Sequence, residues 1–146
     1  MTEIFEAPDS SAARLRVTGI LSGVSSTQTY EAFTNAALIT KWWSETATID
    51  ARVGGGIELG WPEMEWTLRG RFLELTPERA LSFTWKWDHA PELAERLVTV
   101  QLTQDDDDTR IVLDHGDYGP GDEDERSGHL AGWQHFLPRI PGALLG

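Results

Sequence analysis

Between Thr46 and His115 apolar residues recur at every second position in four separate runs, and this alternation constrains the fold more than any other feature of the chain. Ile57, Leu59 and Trp61 form one run; Leu81, Phe83, Trp85 and Trp87 a second; Val98, Val100 and Leu102 a third; Ile111, Leu113 and His115 a fourth. Successive side chains of a strand point to opposite faces, so each run predicts a half-buried antiparallel strand with one face on a core. Pro62 and residues 76–79, 89–91 and 105–108 carry the turn formers that separate them.

The flanks have a different period. Residues 1–12 read as a flexible lead-in, and residues 13–146 as one domain that opens on a strand from Arg14 to Leu21. Ser25-Ser26-Thr27-Gln28 has the capping-box pattern, in which the Ser hydroxyl and the Gln side chain each satisfy the other residue's backbone N–H. A helix is expected there, with Tyr30 and Phe33 on one face, followed by a second short helix through Leu38 and Ile39 to Trp42-Trp43. Residues 122–145 return to helical spacing, with Leu130, Trp133, Leu137 and Ile140 on one stripe and four acids at the start, where they complement the helix dipole. Pro138 predicts a kink or an end close to Leu137, because proline removes a hydrogen bond and crowds the preceding turn. The order is a strand, two helices, about six strands and a final amphipathic helix, which is an α+β domain. The simplest way to bury one face of such a sheet is to curve it around the last helix.

Composition removes several functions. With 146 residues, 40% apolar and 25% charged, the chain has the size and make-up of one globular core. Twelve basic residues scattered among 24 acidic ones offer no cationic face for nucleic acid, and an anionic membrane surface repels a net charge of -12. Cysteine is absent, which excludes disulfides and thiolate chemistry. The first residues hold Glu3, Glu6 and Asp9 without an apolar stretch, unlike a secretory signal, and no run of apolar residues is long enough to span a bilayer. The expected compartment is the cytoplasm, with no cofactor or metal.

A set of collinear motifs resembles the activator-of-heat-shock-protein-90-ATPase homologue family of the START-like (SRPBCC) superfamily. These are Tyr30-Glu31-Ala32-Phe33-Thr34-Asn35, Lys41-Trp42-Trp43, Asp50-Ala51-Arg52-Val53-Gly54-Gly55, residues 70–77, Leu81-Ser82-Phe83-Thr84-Trp85, residues 109–115 and Gly132-Trp133. None is specific alone; their shared order is. The resemblance implies a helix-grip fold, a curved antiparallel sheet of six to seven strands wrapped around a long C-terminal helix, with two short helices after the first strand. It also implies a cavity, since many START-like proteins bind lipids, polyketides or other hydrophobic molecules.

Seven tryptophans must fill a large core or line such a cavity. The row Phe83, Trp85 and Trp87, with Phe72 on the strand before and Trp133 on the helix, suits either a pocket wall or a solid aromatic core, and the pocket is favoured because concave sites have apolar walls with few polar anchors. The expected lining is Trp42, Trp43, Phe72, Phe83, Trp85, Trp87, Val100, Leu113, His115, Leu130 and Trp133. Trp42 and Trp43, adjacent at a helix end, are expected to divide between core and pocket mouth. His115 shares the inward face of Ile111 and Leu113, as a satisfied core histidine or a polar anchor, with a general base as the sharper alternative. Glu125 and His129, four apart, read as a surface pair rather than metal ligands. Gly54-Gly55-Gly56 lacks the Lys-Ser/Thr of a phosphate loop and reads as a turn needing positive φ. The acidic run 105–108 reads as a solvated hairpin tip. The leading expectation is a binding module for a small apolar or amphipathic molecule. Two others stand beside it: a protein-interaction domain regulating a chaperone, suggested by the family, and a polyketide-cyclase-like or hydrolytic enzyme using His115.

Overall fold

The structure, a computed structural model, describes residues 2–145. Eight antiparallel strands form one sheet in the order β1-β2-β8-β7-β6-β5-β4-β3. They are β1 (Glu3–Glu6), β2 (Arg14–Leu21), β3 (Thr46–Ile49), β4 (Gly56–Trp61), β5 (Trp66–Thr76), β6 (Ala80–Trp87), β7 (Arg96–Asp105) and β8 (Asp108–Gly116). Between β2 and β3 lie α1 (Ser26–Thr34) and α2 (Ala36–Ile39); after β8 come α3 (Glu123–Phe136) and α4 (Ile140–Leu145). The four alternating runs are β4, β6, β7 and β8, and the sheet curves around the C-terminal helix as a helix grip.

The lead-in differs from its reading. Residues Glu3–Glu6 pair with β2, Glu3 opposite Ile20 and Glu6 opposite Val17, which raises the strand count to eight. Ile4 packs on the core from this edge; Glu3 stays in solvent, where charge protects an edge strand, while Glu6, on the face of Ile4, is half-buried and accepts from Arg126 at 2.6 Å.

Core rows run across the strands. Phe72 stands opposite Phe83, Phe83 opposite Val98, Val98 opposite His115 and His115 opposite Leu15, so a histidine sits within an otherwise apolar row. Gly70 lets β5 come this close to β6: a Cβ there would sit 1.8 Å from the Thr84 carbonyl oxygen. At the other end of the glycine set, Gly54 has φ +83, the left-handed turn conformation expected of it.

The helices follow their local signals. Ser25 caps α1 through Gln28 N, and the Gln28 side chain accepts from Ser25 N at 2.9 Å, a complete capping box. α3 stops at Phe136; a 3-10 turn over Leu137–Arg139 carries Pro138 and α4 continues, so the proline tightens the chain for one turn and then releases it. Trp133, Leu137 and Ile140 are buried, while Leu130 is half-buried against the core. Among the described residues no helix is long and apolar enough to cross a membrane.

Trp42 and Trp43 are both buried, with rings stacked at 5.4 Å, so adjacency does not turn one of them outward. α2 ends at Ile39, and the turn after it replaces the helical offset that would have splayed them.

Candidate functional site

A cavity of about 180 Å³ opens between the sheet and α3. Six of the seven tryptophans border it: Trp43 from the turn after α2, Trp61 closing β4, Trp66 opening β5, Trp85 and Trp87 ending β6, and Trp133 from α3. Met64, in a 3-10 turn over Pro62–Met64, and Phe136 complete the apolar wall with Gly128, Gly132 and His129 of α3. Trp61 faces Trp66 across the β4–β5 hairpin, which brings both indoles to one end of the sheet. The rings interlock, Trp43 lying 5.0 Å from Trp133 and 5.7 Å from Trp85, and Trp85 5.3 Å from Trp87.

Gly128 and Gly132, one helical turn apart, present no side chain to this space, and a Cβ built on either meets no atom within 4 Å. Two glycines in the middle of a helix thus form one side of the void.

Of the residues expected to line a pocket, Trp43, Trp85, Trp87 and Trp133 border this cavity. Trp42, Phe72, Phe83, Val100 and Leu113 lie deeper, in the core, Trp42 holding its indole N–H on the Ala32 carbonyl at 2.9 Å. Leu130 packs on the core instead of the cavity. His115 stands directly behind the wall, its ring 4.5 Å from Trp85 and stacked at 4.4 Å on His129. Trp61, Met64, Trp66, Gly128, His129, Gly132 and Phe136 were not anticipated. A usable sign was the glycine pair at helical spacing, because a mid-helix glycine is destabilising by about 0.5–1 kcal/mol relative to alanine.

His129 is not on the surface. Its side chain is 10% exposed, and Tyr118 Oη lies 2.7 Å from its Nδ1. With Nε2 turned toward Glu125 at 4.0 Å, the consistent neutral tautomer carries its proton on Nε2 and accepts from Tyr118 at Nδ1. Glu125 bonds instead to Arg96, whose Nη2 is 2.6 Å away. Arg96 is buried on β7, reaches Asp122 at 3.2 Å and the Asp117 carbonyl, and lies over the Tyr118 ring at 4.8 Å. A guanidinium satisfied on all sides thus ties β7 to the start of α3 and holds the tyrosine under His129.

Burial dominates the electrostatics. It lowers the His129 pKa to about 4, with nearby Arg96 lowering it further and Glu125 opposing. Full burial pushes His115 well below the usual histidine range, helped by His129 and Arg96. Burial also raises the Tyr118 hydroxyl, while its hydrogen bond to Glu125 raises Arg96. Both imidazoles are neutral at pH 7. Trp133 Nε1 donates to His115 Nδ1 at 3.0 Å, and an indole nitrogen can only donate, so the His115 proton sits on Nε2.

Residues 24–144 match the family described as "Activator of Hsp90 ATPase homolog 1-like protein". The chain belongs to that family. Among solved structures, a Rhodobacter sphaeroides protein superposes with a TM-score of 0.82 at 23% identity, over 98% of each chain. An HSP90 activator from Plasmodium falciparum superposes at 0.72 with 27% identity, covering 90% of this chain and 96% of that one. CalU16 from Micromonospora echinospora aligns at 0.72 and 18% identity, over 99% of this chain and 85% of its own. Comparison with curated proteins gives no match.

Proposed function

We propose that this protein of the Hsp90-activator homologue family binds a small hydrophobic or amphipathic molecule in the cavity between the sheet and α3. The glycine pair carries the reading. Gly128 and Gly132 weaken the helix, and what their missing side chains leave is space beside six indoles. Ligand sites combine apolar walls with few polar groups, and a dry apolar void of about 150 Å³ is already large enough to take up benzene. Native mass spectrometry of the protein from its own host, together with titration of an apolar fluorescent probe, tests it. A retained mass or saturable one-to-one binding with altered tryptophan emission is expected; probe binding that appears only on unfolding would mean the indoles are solid core.

A second reading, a chaperone-regulating interaction in the cytoplasm, is supported by the likeness to the Plasmodium HSP90 activator. Stimulation of the chaperone's ATPase by the purified protein is its test. An acid-base enzyme has less support: His115 is fully buried, and an imidazole with a pKa near 4, as at His129, is a weak proton acceptor at neutral pH.

A further inference from the structure

Two buried N–H groups beside the cavity lack an acceptor among the described residues. One is Trp85 Nε1–H; the other is His115 Nε2–H, whose proton is fixed there by the bond from Trp133 to Nδ1. Their rings touch at 4.5 Å, and both side chains are over nine-tenths buried. Three other indoles in this region are served, Trp42 by Ala32, Trp61 by the Trp43 carbonyl and Trp133 by His115. A buried donor without an acceptor is destabilising, so in native proteins it marks a place where another group completes the bond.

We infer that the ligand of this cavity is a compact single-ring aromatic molecule bearing a neutral hydrogen-bond acceptor such as a ketone or aldehyde carbonyl, which takes the Trp85 N–H. This rests on the binding reading above and narrows it. Size sets the ring count, because about 180 Å³ exceeds a benzene-sized void by little more than one small substituent. The wall sets the aromatic character, since six indoles and Phe136 turn ring faces and edges to the space, the surfaces against which another ring packs well. Neutrality follows from the surroundings. The wall is indole and phenyl, the adjoining imidazoles are neutral, and the nearest cation, Arg96, is already held by Glu125 and Asp122, so a carboxylate entering here would be unpaired. Trp85 Nε1 is covered by the side chains around it, and the acceptor reaches it as neighbouring rings move apart, a side-chain adjustment common on binding.

Acetophenone and α-methylstyrene test the inference, because they share one shape and differ in C=O against C=CH₂. Each is titrated into the full chain while the indole N–H resonances are followed by NMR, with Trp85 assigned from Trp85→Phe. Acetophenone is expected to bind at least as tightly as the more hydrophobic alkene and to move the Trp85 proton downfield. Trp85→Phe should weaken acetophenone alone, by roughly fivefold, the worth of one neutral hydrogen bond. If the alkene binds and acetophenone binds far more weakly, with the Trp85 proton unmoved, the acceptor is wrong and the binding reading stands. If neither probe binds up to its solubility limit, both fall. Should Trp85→Phe not fold, the matched pair on the parent protein still decides, with Trp85 then assigned through the rings around it.

Discussion

His129 shows how much of this site is set by one side chain's surroundings. In the unfolded chain an imidazole takes up its proton near pH 6.5, whereas folded His129 does so near pH 4. Above 6.5 neither state is protonated and the full stability is present; as pH falls from 6.5 toward 4 the unfolded chain alone gains the proton, and stability is lost. At about pH 5 the loss from this residue is ~2 kcal/mol, and His115 adds to it in the same direction. Urea titrations at about pH 7.5 and about pH 5 should show the drop, and His129→Gln, which can still accept from Tyr118, should flatten it. An equal drop in the variant would assign the acid sensitivity to other groups. Arg96 is the complementary case. Arg96→Met leaves Glu125 buried without its cation and should destabilise by about 3–5 kcal/mol, while Arg96→Met with Glu125→Leu should recover most of it, as measured by thermal unfolding.

At the scale of elements, α3 is the piece that decides whether the protein has a cavity. Gly132→Leu places a side chain into the open space and adds helix propensity, so the melting temperature should hold or rise while probe binding is lost. A variant that still binds would move the site elsewhere. The sequence made much of this architecture legible: period-two runs became β4, β6, β7 and β8, the capping box opened α1, and Pro138 ended α3 one turn before the chain resumed as α4. Other parts were hidden for physical reasons. β1 has four residues with an acid at each end, too little pattern to exceed a loop. Glu125 and His129 have the spacing of an exposed helical pair, and what buries them is Arg96 and Tyr118, brought in from 29 and 11 residues away by the β7–β8 hairpin and the loop after it. Similarly the charges of 105–108 predict a solvated hairpin tip, yet Asp108 accepts from Gly23 N at 2.8 Å, a tertiary bond that no local charge count reveals.

For the whole molecule the net charge of -12 is the governing quantity. Self-repulsion of a compact anion is relieved by screening, so raising sodium chloride from about 10 mM to about 200 mM should increase the melting temperature. A decrease would mean that surface pairs such as Arg16 with Asp9 and Asp114, which salt weakens, outweigh the repulsion.

The packing of the indoles has an optical consequence. Trp42 stacks on Trp43, and Trp43 leads through Trp85 to Trp87 and Trp133 with each ring within 5.7 Å of the next. Chromophores that close exchange excitation before they emit, so light absorbed anywhere in the cluster leaves from whichever ring lies lowest in energy, with its polarisation scrambled. The folded protein should glow as one lamp rather than several, and a molecule seated against any of these rings would dim them together.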